Sequence, residues 1–301
     1  MRIPTNSLSD SIIGQLQQLT SRQAGLETQL STGQRVTNPS DNPQAIGNVL
    51  NIESEKRQLV QYSSNNNLAT EVSQNVYSSV SSLKTLSDKA GEISAGTSGT
   101  TSPATNTANA SVVNQLIEQG LQTLNAHVNG TYLFGGNNTD TPPFSATRDA
   151  SGNITGVTYN GTATAPAYQV SEGAAISPFP GGATNQHLGD FVNNLVALRN
   201  ALSSQDATAV RAADPGLQTS EDNIIQTIGD NGAVQTRLEA ESARTQARFS
   251  DLVNFGSRQT SADITTVTVK LSQAQTAYQA ALESSAKMMS MSLLNYIPNI
   301  A

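Results

Sequence analysis

The sequence predicts a mainly α fold, an elongated helical hairpin or bundle with coiled-coil terminal helices and a small β-rich insertion at the distal end. Three observations carry this. Apolar and small residues near both ends recur at alternating spacings of three and four: Ile12, Leu16, Leu19, Gln23, Leu26 and Leu30, then Ile264, Val267, Leu271, Ala274, Tyr278, Ala281, Ser285 and Met288. This is the heptad pattern of helices that pack lengthwise. Hydrophobic residues make up 36% and aromatics 4%, with no Trp, which suits narrow apolar seams better than a thick globular centre. Finally, a stretch rich in Gly, Pro, Asn and β-prone residues interrupts the helical pattern from Gly130 onward.

Charge is scarce around both terminal stripes. Residues 1–34 hold only Arg2, Asp10, Arg22 and Glu27, and residues 264–301 only Lys270, Glu283 and Lys287. A helix wetted along one face normally carries charge there, so these two ask to be paired and then covered. Across the chain 16 basic and 23 acidic residues give a net charge of −7. Without a concentrated basic patch, nucleic acid is excluded as an expected partner. The absence of cysteine removes disulfides and thiolate metal sites but does not fix the compartment. The opening MRIPTNSLSDSIIG has no apolar core of signal-peptide length, and no segment approaches the ~18 apolar residues of a membrane helix. A leaderless route through a dedicated export apparatus stays open.

The first helix is expected to start at Ser7, with Asp10 completing a capping box, and to end at Gly33, which can take the left-handed conformation favoured there. Arg35-Val36-Thr37-Asn38-Pro39-Ser40-Asp41-Asn42-Pro43 follows as an ordered turn, with Asn42 as N-cap and Pro43 in the first helical position. A second helix runs over residues 43–93 on Val72, Val76, Ser79, Leu83, Leu86, Ala90 and Ile93, with Glu53, Glu55, Lys56 and Arg57 as a solvated face. Residues 96–110, GTSGTTSPATNTANA, read as a polar linker. A third helix is expected over 111–129 on Val113, Leu116, Ile117, Leu121 and Leu124. Then Ile154, Val157, Tyr159, Tyr168 and Val170, separated by Ser-Gly and Asn-Gly turn signals, predict a partly hairpin insertion at 139–176, with Asn160-Gly161 as a hairpin turn. Helix returns at 188–202 on Phe191, Leu195, Leu198 and Leu202, and again at 206–228, interrupted at Asp214-Pro215-Gly216. A turn at 229–232 leads into a final run to Tyr296 of roughly 90 Å at about 1.5 Å per residue, with Gly256 as its only weak point.

Three groups of residues, at 33–43, 130–144 and 278–296, carry a resemblance to the flagellin family, and within it to the branch at the hook–filament junction. Gly33-Gln34-Arg35-Val36 followed by Pro39-Ser40-Asp41-Asn42-Pro43 is similar to that branch's G-K-R-I and P-S-D-D-P stretch, whose two prolines filament flagellins usually lack. Gly130-Thr131-Tyr132-Leu133-Phe134-Gly135-Gly136, then Thr139-Asp140-Thr141-Pro142-Pro143-Phe144, resembles its Y-x-F-G-G…T-x-P-F signature. The ending Tyr278-Gln279-Ala280-Ala281-Leu282 through Leu293-Leu294-Asn295-Tyr296 resembles its C-terminus. Gly232-Ala233-Val234-Gln235-Thr236-Arg237-Leu238-Glu239 is a weaker fourth match. Gln34 departs from the usual Lys or Arg, and the tail runs on past Tyr296.

The resemblance implies a structural role: export without a leader through the flagellar type III apparatus, aided by an export chaperone, and assembly as a ring of copies between hook-associated protein 1 and the first flagellin subunits, outside the cell. It implies an assembly interface of Ile12, Leu16, Leu19, Leu26, Leu30, Ile264, Val267, Leu271, Tyr278, Leu282, Met289 and Leu293. A hinge is expected at Arg35, Pro39, Ser40, Asp41 and Pro43, and a distal plug of Tyr132, Leu133, Phe134, Gly135, Gly136 and Phe144. The expected organisation is terminal helices at 1–42 and 259–301, a helical rod at 43–138 and 183–258, and the insertion at 139–182. Two other readings stay open, a divergent filament flagellin and a secreted helical adhesin or signalling bundle. The heptads also fit an ordinary bundle core, and the aromatics before Gly135 a docking site. For enzyme chemistry there is no pattern: His127 and His187 are isolated, and Glu239 and Glu241 read as a solvated helix face. No cofactor is implied.

Overall fold

The computed structural model describes residues 5–36, 40, 42–97 and 102–296, with side chains described over 10–288 of these. Among the described residues three helices, three short hairpins and three further helices follow in order: α1 (Thr5–Thr32), α2 (Pro43–Thr97), α3 (Pro103–Leu124), β1 (His127–Val128), β2 (Thr131–Tyr132), β3 (Phe144–Arg148), β4 (Ile154–Tyr159), β5 (Tyr168–Ser171), β6 (Ala174–Ile176), α4 (Gly182–Ser203), α5 (Ala207–Thr260) and α6 (Ile264–Tyr296). Each two-stranded sheet is antiparallel and pairs strands adjacent in sequence, β1 with β2, β3 with β4 and β5 with β6. The mainly α class with a small β-rich insertion is what the periodicities predict.

The chain forms two compact units, Met1–Arg57 with Phe249–Ala301, and Gln58–Arg248. In the first, α1 packs against α6 around buried Leu26, Val267 and Ala274, with Leu30, Ala262 and Leu271 partly covered. Gly33 ends α1 as expected, at φ +68° with its N–H donating to the Gln29 carbonyl at 2.9 Å. Asn42 caps α2, its side-chain oxygen accepting the Ala45 N–H at 3.0 Å, with Pro43 behind it. The charges at 53–57 do not form a wholly solvated face. Lys56 Nζ reaches Glu53 at 2.7 Å and lies over the Phe249 ring at 5.7 Å, its long stem half-buried, because an aliphatic stem covers apolar surface while its ammonium stays wet.

The second unit holds the main core. Val76, Leu83, Ala90 and Ile93 of α2, Val113, Leu116, Ile117 and Leu124 of α3, and Leu188, Phe191, Leu195, Leu198 and Leu202 of α4 are buried together with Phe134, Phe144 and Ile154. Val170 and Ile176 of the β5–β6 hairpin close on Ala69 of α2 and Leu238 of α5 in a smaller cluster.

Five sequence expectations about helix bounds and turns are corrected. The 96–110 segment is not all linker: Ser102 caps α3, accepting the Thr105 N–H at 3.1 Å, Pro103 takes the first helical position, and Asn106 and Ala110 are buried one turn apart. At its other end α3 stops at Leu124, because Asn129 and Gly130, at φ +51° and +81°, form the two-residue turn of the β1–β2 hairpin, the geometry Asn-Gly favours. Asn160-Gly161 is not a hairpin turn. The β3–β4 turn is at 149–153, where Asp149 accepts backbone N–H groups of Ser151 and Asn153, each at 2.9 Å.

The fourth concerns the returning helices. Neither Pro215-Gly216 nor 229–232 breaks α5, which is one helix to Thr260. A proline removes only one ladder bond, and just beyond it Asn194 of α4 ties α5 down, its amide nitrogen 2.9 Å from both the Gly216 carbonyl and Ser220 Oγ. The helix breaks instead at 261–263. There Asp263 caps α6, accepting the N–H of Thr265 at 3.0 Å and the hydroxyl of Thr266 at 2.7 Å. The fifth is at the front of the chain, where α1 begins earlier than expected, at Thr5, which puts Ser7 inside it.

Candidate assembly interface

The residues expected at the interface divide by position. Leu26 and Val267 are buried between α1 and α6, while Ile12, Leu16, Leu19, Leu30, Leu271 and Tyr278 are half-buried. Ile264 and Leu282 are exposed, at 45% and 43%. Met289 and Leu293 lie on α6, and their side chains are outside the described residues. Further apolar groups on these helices face outward: Ile13, Val269 and Met288 are 49%, 54% and 41% exposed. On α1 an open groove is lined by Ile13, Leu16, Gln17, Thr20, Ser21 and Ala24. Four of these six are polar or small, so the heptad alone did not mark the groove's far wall.

Of the expected hinge, Pro39 and Asp41 lie outside the described residues and Ser40 is an exposed turn residue. Arg35 is placed by the backbone. Its N–H donates to the Thr260 carbonyl at 2.6 Å, the Ala262 N–H donates to Gly33 at 2.8 Å, and its guanidinium donates to the Gln259 carbonyl at 3.1 Å. The end of α1 is thus laced to the α5–α6 junction by a short antiparallel bridge between Gln34 and Ser261. Asp263 beside it has its carboxyl held below the usual range, first by the Thr266 hydroxyl and then by backbone N–H groups.

The expected plug residues are drawn together in the second unit. Phe134 is fully buried, and Leu133 and Phe144 are 2% exposed. Tyr132 is half-buried on β2, its ring tilted on His127 with centroids 5.5 Å apart. Gly135 and Gly136 are buried turn residues. Gly136 stands at φ +64°, where a Cβ would strike the Thr162 side chain and lie 2.6 Å from the Thr162 carbonyl and 2.7 Å from that of Thr164.

Sequence reasoning missed the asparagines that attach the strands to the helices. Asn125 holds Phe144 by both backbone groups, accepting its N–H at 3.0 Å and donating to its carbonyl at 2.9 Å. Asn193 does the same for Val157, at 2.8 and 3.0 Å. An amide side chain has one acceptor and two donors, so each stands in for a neighbouring strand. Asn185, fully buried, donates to the Phe134 carbonyl at 2.9 Å, and Asn66 to that of Leu238 at 2.9 Å. In the sequence these asparagines look like generic polar filler. Only their recurrence on otherwise apolar faces, as Asn193 beside Val192 and Leu195, could have flagged them.

Glu241 also departs from expectation. Glu239 is exposed, but the Glu241 side chain is only 14% exposed, with one oxygen on Arg244 at 2.6 Å. Arg199 is a buried cation, 8% exposed, satisfied by neutral acceptors: Asn114 at 3.0 Å, the Ile154 carbonyl at 2.7 Å and Asn200 at 2.8 Å. It locks α4 to α3 and β4. Among the described residues no group of three or more His, Asp or Glu is placed to hold a metal ion, and no helix is long and apolar enough to cross a membrane.

Comparison with known proteins places this architecture. Residues 3–139 match the bacterial flagellin N-terminal helical region. No curated protein matches in sequence. A structure from Vibrio parahaemolyticus described as a flagellar hook-associated protein superposes with a TM-score of 0.63 at 17% identity, covering 73% of this chain and 100% of that one. FlgL from Bacillus cereus gives 0.58 at 16% identity, covering 67% and 97%. The flagellar junction protein FlgL of Legionella pneumophila gives 0.52 at 12%, covering 72% and 100%. The chain has their fold.

Proposed function

We propose that this chain, which carries a flagellin N-terminal helical region over residues 3–139, is a structural subunit of the bacterial flagellum that joins the hook to the filament. The observation that supports this most is the pairing of the first helix with the last, with apolar side chains left outward along both. Ile13, Ile264, Val269, Leu282 and Met288 are each more than two-fifths exposed, on helices with almost no charge. Apolar surface of this kind is kept where a neighbour covers it. In this reading the neighbours are copies of the same chain in a ring, hook-associated protein 1 on one side and flagellin on the other. Contacts that do not close on themselves extend an axial structure. The role is mechanical, outside the cell, with delivery through the flagellar export apparatus and its chaperone.

A strain lacking the gene is expected to make hooks without filaments and to spill flagellin into the medium, seen by electron microscopy and in the culture supernatant. A normal flagellum in that strain would overturn the proposal. Filament flagellin is the competing reading, and it is separated by seeding: purified chain added to filament fragments is expected not to grow long filaments by itself.

A further inference from the structure

The chain has three Asn-Gly pairs, Asn129-Gly130, Asn160-Gly161 and Asn231-Gly232, and the structure gives them different chemistry. From these surroundings we propose that Asn129 is a site of spontaneous deamidation, and that its conversion releases the β1–β2 hairpin from α2. In the reaction the Gly130 amide nitrogen attacks Asn129 Cγ. A C–N bond closes a five-membered imide, and the side-chain nitrogen leaves as ammonia, taking up the proton that Gly130 gives through solvent. Water then adds to one imide carbonyl and opens the ring, giving an aspartyl or an isoaspartyl residue. Amide plus water become carboxylic acid plus ammonia, with no change of oxidation state.

The step needs an open approach of nitrogen to carbonyl carbon and freedom to reach it. Asn129 is exposed at the tip of a two-residue turn, Gly130 has open space where a Cβ would stand, and the Asn129 amide is held only by a long 3.4 Å bond to Glu71 Oε1. Asn160 is held at both ends, its N–H donating to the Pro143 carbonyl at 2.8 Å and its amide to Ser145 at 2.9 Å, and Gly161 is crowded by the Tyr159 ring. Asn231 is 6% exposed inside α5, and its side-chain oxygen accepts from Gln235 at 3.1 Å. Helical geometry also engages the Gly232 nitrogen in the backbone ladder.

Conversion has a structural consequence. The amide that donates to Glu71 becomes a carboxylate facing it, so a hydrogen bond turns into like-charge repulsion. The isoaspartyl product also adds a methylene to the main chain within the turn, where the Val128–Thr131 register allows only two residues.

The test uses the full chain, kept warm at mildly alkaline pH and followed by peptide mass spectrometry. Conversion at Asn129 is expected to be about tenfold faster or more than at Asn160 and Asn231, since misplacing reacting groups slows reactions by such factors. Equal rates at the three sites, or no conversion at Asn129, would overturn the proposal. Asn129→Asp is expected to raise hydrogen exchange at the amides of residues 127–133, and Glu71→Gln in that background to restore protection. Unchanged exchange in Asn129→Asp would overturn the release of the hairpin.

Discussion

Asn193 shows how much of this fold rests on single side chains. Its amide occupies both backbone groups of Val157, which is itself 8% exposed. Asn193→Ala leaves that N–H and carbonyl without their partner, at a cost of about 1–3 kcal/mol for each buried group left unsatisfied. The midpoint of urea unfolding of the Gln58–Arg248 unit is expected to fall, and an unchanged midpoint would show that water replaces the amide. Gly136 gives a second test at this scale. Gly136→Ala meets both a left-handed backbone and a wall of Thr162 and Thr164, whereas Gly152→Ala, at φ +84° with nothing within 4 Å of its Cβ, meets the backbone strain alone. Both are destabilising, by more than the roughly 0.4–1 kcal/mol that Gly→Ala gains at compatible sites, and Gly136→Ala is expected to lower the melting temperature further. The two glycines look alike in sequence. Their difference lies in what the distant segment 162–164 does, and no local pattern reports that.

At the scale of elements, the apolar periodicity was legible and the breaks were not. Phe191, Leu195, Leu198 and Leu202 are all fully buried, as their spacing predicts. Pro215 and the glycines near 230 looked like stronger breakers than Ser261-Ala262-Asp263. Yet a long helix absorbs one lost ladder bond when the turns beside it are held, as Asn194 holds Gly216 and Ser220 of α5, whereas a well-formed cap with a paired segment beside it starts a new helix. Asp263 makes this testable. Its carboxyl is held below the usual range by Thr266 and the backbone N–H groups of the first turn. A carboxyl with a depressed folded pKa contributes stability that is present above its unfolded value and lost as pH falls through the folded one. Amide protection at Thr265, Thr266 and Val267, measured against the intrinsic exchange rate at each pH, is therefore expected to fall as the pH drops below the ordinary carboxylate range. Asp263→Asn, which still caps, should abolish that pH dependence, and Asp263→Ala should leave the turn frayed at every pH. Protection that responds to pH equally in Asp263→Asn would mean that another group controls the turn.

For the whole molecule, the two units differ in what holds them. The Gln58–Arg248 unit closes a continuous core over α2, α3, α4, α5 and two hairpins, whereas among the described residues the α1–α6 seam buries only Leu26, Val267 and Ala274. At about 1.5–3 kcal/mol for each fully buried large aliphatic side chain, that seam contributes only a few kcal/mol to pairing long helices. The sequence made the seam visible through its heptads and missing charge, but could not say which residues face the partner helix and which face outward. That split decides the experiment. Val267→Asp places a charge between α1 and α6, where its desolvation is uncompensated, and is expected to separate the helices. Leu282→Asp falls at an exposed position and is expected to leave them paired. If the outward residues serve assembly, both substitutions stop incorporation at the hook tip, for different reasons. Val267→Asp loses amide protection along α1 and α6 while residues 58–248 keep theirs, and Leu282→Asp keeps protection throughout. Normal filaments with Leu282→Asp would show that the outward face of α6 is not a contact surface. Loss of protection across 58–248 with Val267→Asp would show that the terminal pair supports the core.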